Sequence, residues 1–420
     1  MPHEPIDLSS HILQPASSIN ETDTSLAGAT ERSLDGLPLD VEQSVRQRYE
    51  AAAQEAEPAL CCPVDYNPEY LAAIPEEIIQ RDYGCGDPSK HVAPGDRVLD
   101  LGSGGGKICY IAAQIVGRKG QVVGVDRNDQ MLALARKYQQ PMAERLGFSN
   151  TEFRKGSIQD LALDLETFES YLAQNPISSS SDWLRAEAHA QNLRETNPLV
   201  ADDSIDVVVS NCVLNLVSQE DRQQLFRELF RVLKRGGRAV ISDIVCDEPV
   251  PPSLQNDSQL WSGCISGAFL ESEFLEAFTS AGFYGVEILS RQEAAWATVK
   301  GIEFRSVTVR AYKGKEGPCL DQRQAVIYNG PWKQVLDDDG HTLVRGQWTA
   351  VCGKNYTIYT HEPYASHITP VPPHQDVPED QALEFDCHQD ATRDPRVTKG
   401  IDYQATQLPG DDCCGTDGCC

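Results

Sequence analysis

Between Arg97 and about residue 310, short apolar runs alternate with helical stretches, and this alternation constrains the fold more than any other feature of the chain. A chain that repeatedly passes strand, helix, strand lays its strands parallel, since each crossover carries it back to start the next strand in the same direction. Val98-Leu99-Asp100-Leu101 is the first expected strand, followed by 121–126, 151–155, 205–210 and 238–244, with helices between them. Ser218-Gln219-Glu220-Asp221 has the shape of a capping box ahead of Leu225, Leu229 and Leu233, and Gly236-Gly237 is expected to end that helix. Residues 302–312 alternate with period two, as a last, antiparallel strand would. The pattern predicts an α/β fold, a Rossmann-like sheet of seven strands.

Around this domain, expected over 39–315, the composition changes. Residues 1–38 are rich in Ser, Thr, Asp and Pro without sustained period and read as a disordered lead. Val41, Val45 and Tyr49 fall at helical spacing, so a helix should deliver the chain to Cys61-Cys62. A second helix over 75–81 leads to Tyr83-Gly84-Cys85-Gly86-Asp87-Pro88, where two glycines and a proline force a turn. The segment 163–198 is too long for an ordinary connection and reads as an insertion. Strand-like runs at 324–328 and 341–344 flank the acidic turn Asp337-Asp338-Asp339-Gly340, so 316–365 is expected to be a small β-rich unit. From Pro370 onward Pro and Asp dominate, and a flexible tail over 366–420 is expected to end in Cys413-Cys414 and Cys419-Cys420.

The net charge of −27, from 63 acids against 36 bases, excludes a general affinity for phosphate backbones or anionic lipid, so no nucleic-acid or membrane partner is expected. With no stretch approaching a membrane span and no basic-then-apolar leader, the expected location is the cytoplasm. There the 14 cysteines would be reduced, available as ligands, nucleophiles or redox groups.

Asp100-Leu101-Gly102-Ser103-Gly104-Gly105-Gly106 follows a strand and opens a helix, where glycines permit a sharp turn and let a ligand approach the backbone amides. A dinucleotide fingerprint would need glycine where Lys107 stands, and no Gly-Lys-Ser/Thr follows for a P-loop, so the loop points to S-adenosylmethionine. Asp100, Gly102, Ser103, Gly104 and Gly106 are the candidate contacts. Asp126, at the end of the second strand, is placed to accept from ribose hydroxyls. In Gly156-Ser157-Ile158-Gln159-Asp160, Ile158 is expected to pack on the adenine and Asp160 or Gln159 to face its amino group. Ser210-Asn211-Cys212 ends the fourth strand at the ligand-binding edge, bringing Asn211 and Cys212 beside the cofactor. Cys109, Cys246, Cys319 and Cys352 sit among apolar or strand-like residues and read as small buried hydrophobes.

These motifs, with Cys61-Cys62, Gly84-Cys85-Gly86, Ser210-Asn211-Cys212-Val213 and Cys264-Ile265-Ser266-Gly267-Ala268, resemble the arsenite methyltransferases over roughly residues 60–310. Glycine loops are common, whereas three cysteine motifs in order within one such domain are specific. The resemblance implies Cys85, Cys212 and Cys264 as ligands of trivalent arsenic, Cys62 as a disulfide partner during turnover, arsenite as substrate and a cellular thiol reductant of thioredoxin or glutathione type. It implies arsenic detoxification as the role. Soft thiolates select soft centres, and three of them leave arsenic(III) a lone pair to act as nucleophile. Pentavalent arsenic formed by transfer would need electrons returned, and a Cys62–Cys85 disulfide reducible by thiol exchange fits that step. The chain departs from the family at Leu214, where members often carry a second cysteine, and at Gln159, where they carry an acid. Paired cysteines in the tail resemble those of some relatives and suit capture of arsenite or general metal binding. Two other readings stay open on the residues alone: methylation of an organic small molecule, and a non-catalytic metalloid-binding protein on the same scaffold.

Overall fold

A computed structural model describes Arg48 and residues 64–407, except 82, 256, 258, 259, 262 and 388–391. The expected lead, Cys61, Cys62 and the terminal cysteine pairs lie outside the described residues, and of the helix expected near 41–49 only Arg48 is described, in helical conformation. The chain divides into two compact units, Met1–Ala277 with Glu287–Arg310 and Phe278–Val286 with Ala311–Cys420.

Strands β1 Arg97–Leu101, β2 Gln121–Asp126, β3 Thr151–Lys155, β4 Ile205–Asn211 and β5 Leu233–Cys246 form the sheet expected from the sequence. Their order is β3-β2-β1-β4-β5, all neighbours parallel. Val98, Leu99, Leu101, Val207, Val208 and Val209 are fully buried. Burial on both faces explains why these strands read as continuous apolar runs. Strands β6 Phe269–Leu270, β7 Tyr284–Arg291, β8 Ala297–Val299 and β9 Ile302–Tyr312 extend the sheet. β9 lies beside β5 with β7 beyond it, while β6 pairs with β5 and β8 pairs antiparallel with β9. Strand β5 begins earlier than expected. Gly236, at φ 81°, and Gly237 do not end a helix but sit where the ladder jumps from Ile205↔Leu233 to Val207↔Arg238. A glycine accommodates that bulge because it populates the left-handed region without a Cβ penalty.

The principal helices are α1 Lys107–Val116, α2 Asp129–Lys137, α3 Leu165–Gln174, α4 Ser180–Thr196, α5 Arg222–Val232 and α6 Glu271–Ser280. The insertion at 163–198 is thus a helical pair. Asp164 and Ser179 accept from backbone N–H groups in the first turns of α3 and α4, and Lys155 and Arg136 pair with Glu169 and Glu166 of α3 at 2.7 and 2.6 Å.

In the second unit, β11 Ala325–Tyr328 lies between β14 Trp348–Ala350 and β15 Ile368–Val371. The acidic turn joins β12 Gln334–Leu336 to β13 Thr342–Val344 as a hairpin. Elements continue into the stretch read as a tail: β15 itself, and β16 Leu383–Glu384, which pairs with β10 Leu320–Asp321. Val326, Tyr328, Leu343, Val351, Ile358 and Ile368 supply its apolar core.

Candidate functional site

β1 lies between β2 and β4, so the chain runs outward in opposite directions from it, and the crevice at the carboxyl ends of these strands is where ligands of such sheets bind. A cleft lies there, about 1020 Å³ with the open solvent at its mouth included. Gly102, Ser103, Gly104, Gly105, Asp126, Asn128, Met131, Ile158 and Gln159 line it, together with Cys212, Val213 and Leu216. Gly102 and Gly104 adopt φ of 68° and 51°, and a Cβ on Gly102 would collide with Val213. One Asp126 carboxylate oxygen accepts from Gly104 N and the other from Asn128 N, each at 2.8 Å. Burial pushes the Asp126 carboxyl up from its ordinary range. With two lone pairs on each oxygen, acceptor capacity remains for a ribose diol. Ser103 and Asn128 are among the residues lining this cleft, and their Oγ and Nδ2 atoms are buried without a hydrogen-bond partner. Buried polar atoms are normally satisfied, and the polar residues and glycine backbone along this cleft suit a polar ligand such as S-adenosylmethionine.

Four residues expected at the cofactor lie off this wall. Asp100 is buried beneath the loop and accepts from Cys109 Sγ at 3.2 Å. Gly106 serves instead as the N-cap of α1 at φ 90°. Asp160 is held by Arg194 of α4 at 2.8 Å, leaving Ile158 and Gln159 at the cleft. Asn211 turns to the Cys85 turn: its Oδ1 accepts from Cys85 N at 2.9 Å and Gly86 N at 3.1 Å, and its Nδ2 donates to Gly86 O at 2.8 Å. Asn211 therefore positions Cys85.

Cys85, Cys212 and Cys264 arrive from three separate segments and meet in one apolar cluster with Ile244, Ile265 and Phe304. The Cys212 thiol is hydrogen-bonded to those of Cys264 and Cys85, and these bonds, with burial, hold it well above its ordinary range. Burial likewise pushes the Cys85 thiol up. Cys212 and Cys264 both occupy the left-handed region, at φ 65° and 64°. Such a backbone costs of order 1–3 kcal/mol per non-glycine residue and persists only where surrounding structure enforces it. The enforcement is visible: Cys212 N donates to Ser242 O at 2.7 Å, and a Cβ on Gly267 would run into the Asn215 carbonyl oxygen. Arg222, stacked 4.0 Å over the Phe269 ring, donates to Gly267 O.

Asp243 was missed by the sequence reading. It is fully buried, and one carboxylate oxygen with the Cys212 and Cys264 sulfurs forms a group within 4.8 Å. Burial raises its carboxyl to about 6, opposed by backbone N–H donors including Ile244 and Leu214. The one available signal was an acid inside a run of apolar strand residues, a rare placement. Ser306, also missed, donates to Cys85 O from β9. Cys109 and Cys246, read as small buried hydrophobes, are buried.

A methyltransferase-domain family model matches residues 93–193 and 173–282, and a model described only as a domain of unknown function matches 315–403. The chain is 32% identical over 345 residues to the arsenite methyltransferase of Aquipseudomonas alcaligenes, covering 78% of this chain and 89% of that one. It is 30% identical over 372 residues to the human arsenite methyltransferase, covering 84% and 88%. Among solved structures, an arsenic(III) S-adenosylmethionine methyltransferase from Chlamydomonas reinhardtii matches with TM-score 0.50 and 27% identity, covering 77% of this chain and all of that one.

Proposed function

The chain belongs to the arsenite methyltransferases, and from that premise we propose that Cys85, Cys212 and Cys264 hold trivalent arsenic while its lone pair accepts a methyl group. The supporting observation is the meeting of these three thiols, from three distant segments, with Cys212 also on the wall of the glycine-loop cleft. S-adenosylmethionine, bound by the glycine loop, Asp126 and the Ile158 loop, supplies the electrophilic methyl. The chain's own residues do the rest by placement. Three sulfurs leave arsenic three-coordinate with its lone pair directed away from them and free to attack the methyl group. No general base is required, since the attacking atom carries no proton; the work is alignment and exclusion of water. The apolar lining from Ile244, Ile265 and Phe304 serves that exclusion.

Among the described residues no helix is long and apolar enough to cross a membrane. We place the protein in the cytoplasm, where thiols stay reduced, with arsenic detoxification as its role. Transfer leaves arsenic formally pentavalent, so a thioredoxin- or glutathione-type thiol returns the electrons, with Cys62 and Cys85 as the exchanging pair.

The test is incubation with arsenite, S-adenosylmethionine and excess thiol, followed by arsenic speciation. Methylated arsenic is expected from the unaltered chain, and Cys212→Ser or Cys264→Ser should lower its yield by more than the roughly 10–100-fold that loss of a residue merely supporting a metal ligand costs. Full activity in both serine variants would refute the ligand assignment.

A further inference from the structure

A second group of three cysteines stands in the second unit, away from the glycine-loop motif and from Cys85, Cys212 and Cys264 in sequence. The sulfurs of Cys319, Cys352 and Cys387 all lie within 4.8 Å of one another, and no histidine or carboxylate joins that group among the described residues. Cys319 and Cys352 read in the sequence as packed hydrophobes, but only Cys352 is fully buried; Cys319 and Cys387 are half-buried. The fold brings them together deliberately. Pairing of β10 with β16, through Leu320↔Glu384 and Asp321↔Leu383, and the bond from Phe385 N to Cys319 O at 2.9 Å set Cys319 beside the chain that leads to Cys387. Cys352 immediately precedes the helix Gly353–Tyr359, and its Sγ accepts from Asn355 N at 3.4 Å. Burial pushes the Cys319 thiol up, but a hydrogen bond with Cys387 and the nearby Lys354 ammonium more than offset it, leaving this thiol below its ordinary range.

Among the described residues the group offers three sulfurs and no other ligand atom, and that number bears on the occupant. Zinc in a structural site takes four ligands in a tetrahedron. A disulfide would use two of the three cysteines and leave one over. A trivalent, thiophilic centre takes three thiolates and keeps its fourth direction for a lone pair, and soft sulfur prefers it to oxygen-seeking ions. Its tris-thiolate is also uncharged, so a partly buried pocket holds it without a counter-ion.

We propose that Cys319, Cys352 and Cys387 form a second binding site for a trivalent metalloid, with arsenous acid as the ligand. In the binding step three As–O bonds break and three As–S bonds form. Each thiol proton leaves with a departing hydroxyl as water, with no change of oxidation state. The site needs no cofactor and holds whether or not the Cys85, Cys212 and Cys264 group supports methyl transfer.

The experiment uses the full chain, kept reduced by excess monothiol, with arsenite alone as probe and bound arsenic counted after equilibrium dialysis. To remove other thiol sources, Cys413, Cys414, Cys419 and Cys420 are changed to serine in every sample. Cys387→Ser is expected to lose one equivalent of arsenic, and the loss should persist when Cys212→Ser is present. X-ray absorption should show a three-sulfur environment in the Cys212→Ser chain that disappears on adding Cys387→Ser. Because Cys352 is buried and its replacement risks the fold, half-buried Cys319 and Cys387 carry the test, with circular dichroism confirming native content. An unchanged arsenic count in both Cys319→Ser and Cys387→Ser overturns the proposal, as does a Cys212→Ser chain that binds zinc at these thiols but no arsenic. Failure of methyl transfer in the unaltered chain leaves the arsenic count of this site unaffected, so the two readings fail separately.

Discussion

Cys212 and Cys264 pay for their chemistry in backbone conformation, since a left-handed φ disfavours an ordinary side chain by roughly 1–2 kcal/mol. Asparagine tolerates that region better than cysteine. Cys212→Asn is therefore expected to hold or raise the thermal midpoint while methylation falls by orders of magnitude; a large drop in midpoint would show that Cys212 is retained for packing. Asp243 makes a prediction in pH. Its carboxyl stands at about 6 in the fold against an ordinary 3.8, so the folded chain keeps this proton where the unfolded chain has released it. The cost of burying the charge is then fully present above pH 6 and is relieved as the pH falls from about 6 to about 4. A shift of this size is worth about 3 kcal/mol. Asp243→Asn, neutral throughout, lacks this dependence but leaves one of the Leu214 and Ile244 amides facing an NH₂ group. Urea unfolding of both chains at pH 7 and pH 4 should show the unaltered chain gaining on the variant in acid, and a constant difference would refute the assignment. The three cysteines were legible as ordered motifs. Asp243 was not, because its meaning depends on the Cys212 and Cys264 segments folding against β5.

At the level of elements, the end of β4 does two jobs with consecutive residues: Asn211 grips the Cys85 turn and Cys212 faces the cleft. Asn211→Ala removes an acceptor from two amides and a donor from one carbonyl, each loss costing roughly 1–3 kcal/mol where the group stays buried. Because the damage falls on the turn and not on the cofactor wall, S-adenosylhomocysteine should bind within ~2-fold of its affinity for the unaltered chain, while arsenite methylation drops ~10–100-fold. Calorimetry and speciation separate the two, and parallel loss of both would return Asn211 to the cofactor. The same contrast explains what the sequence conveys. β1 through β5 and the glycine loop were readable because buried parallel strands are unbroken apolar runs and their punctuation is glycine. β7 was not, since its burial fades after Gly285 and its pattern breaks. Helices α3 and α4 were hidden for a related reason. Residues 165–174 bury none of their side chains, and α4 buries only Ala186, Ala190 and Leu193, too thin a stripe to establish a period.

For the molecule as a whole, the acidic excess that gives a net charge of −27 bears on delivery of the substrate. Such a field repels anions over roughly a Debye length, about 30 Å in 0.01 M salt and about 8 Å at 0.15 M. Arsenous acid is uncharged at neutral pH, so its capture should not feel the field. The complex of arsenic with three glutathiones carries several negative charges and should be repelled, with salt relieving the repulsion. Trp261, buried and hydrogen-bonded through its carbonyl to Cys264 N at 3.0 Å, offers a fluorescence signal beside the site. Raising salt across that range should leave the rate of arsenic capture from free arsenite unchanged and accelerate capture from the glutathione complex several-fold. If both rates are flat, the acidic surface does not face the approach to the thiols. If capture from the complex slows instead, the Lys90 ammonium, which lines a second cleft on the Cys85 side together with Asp65 and Asp87, outweighs those carboxylates and draws the anionic complex in.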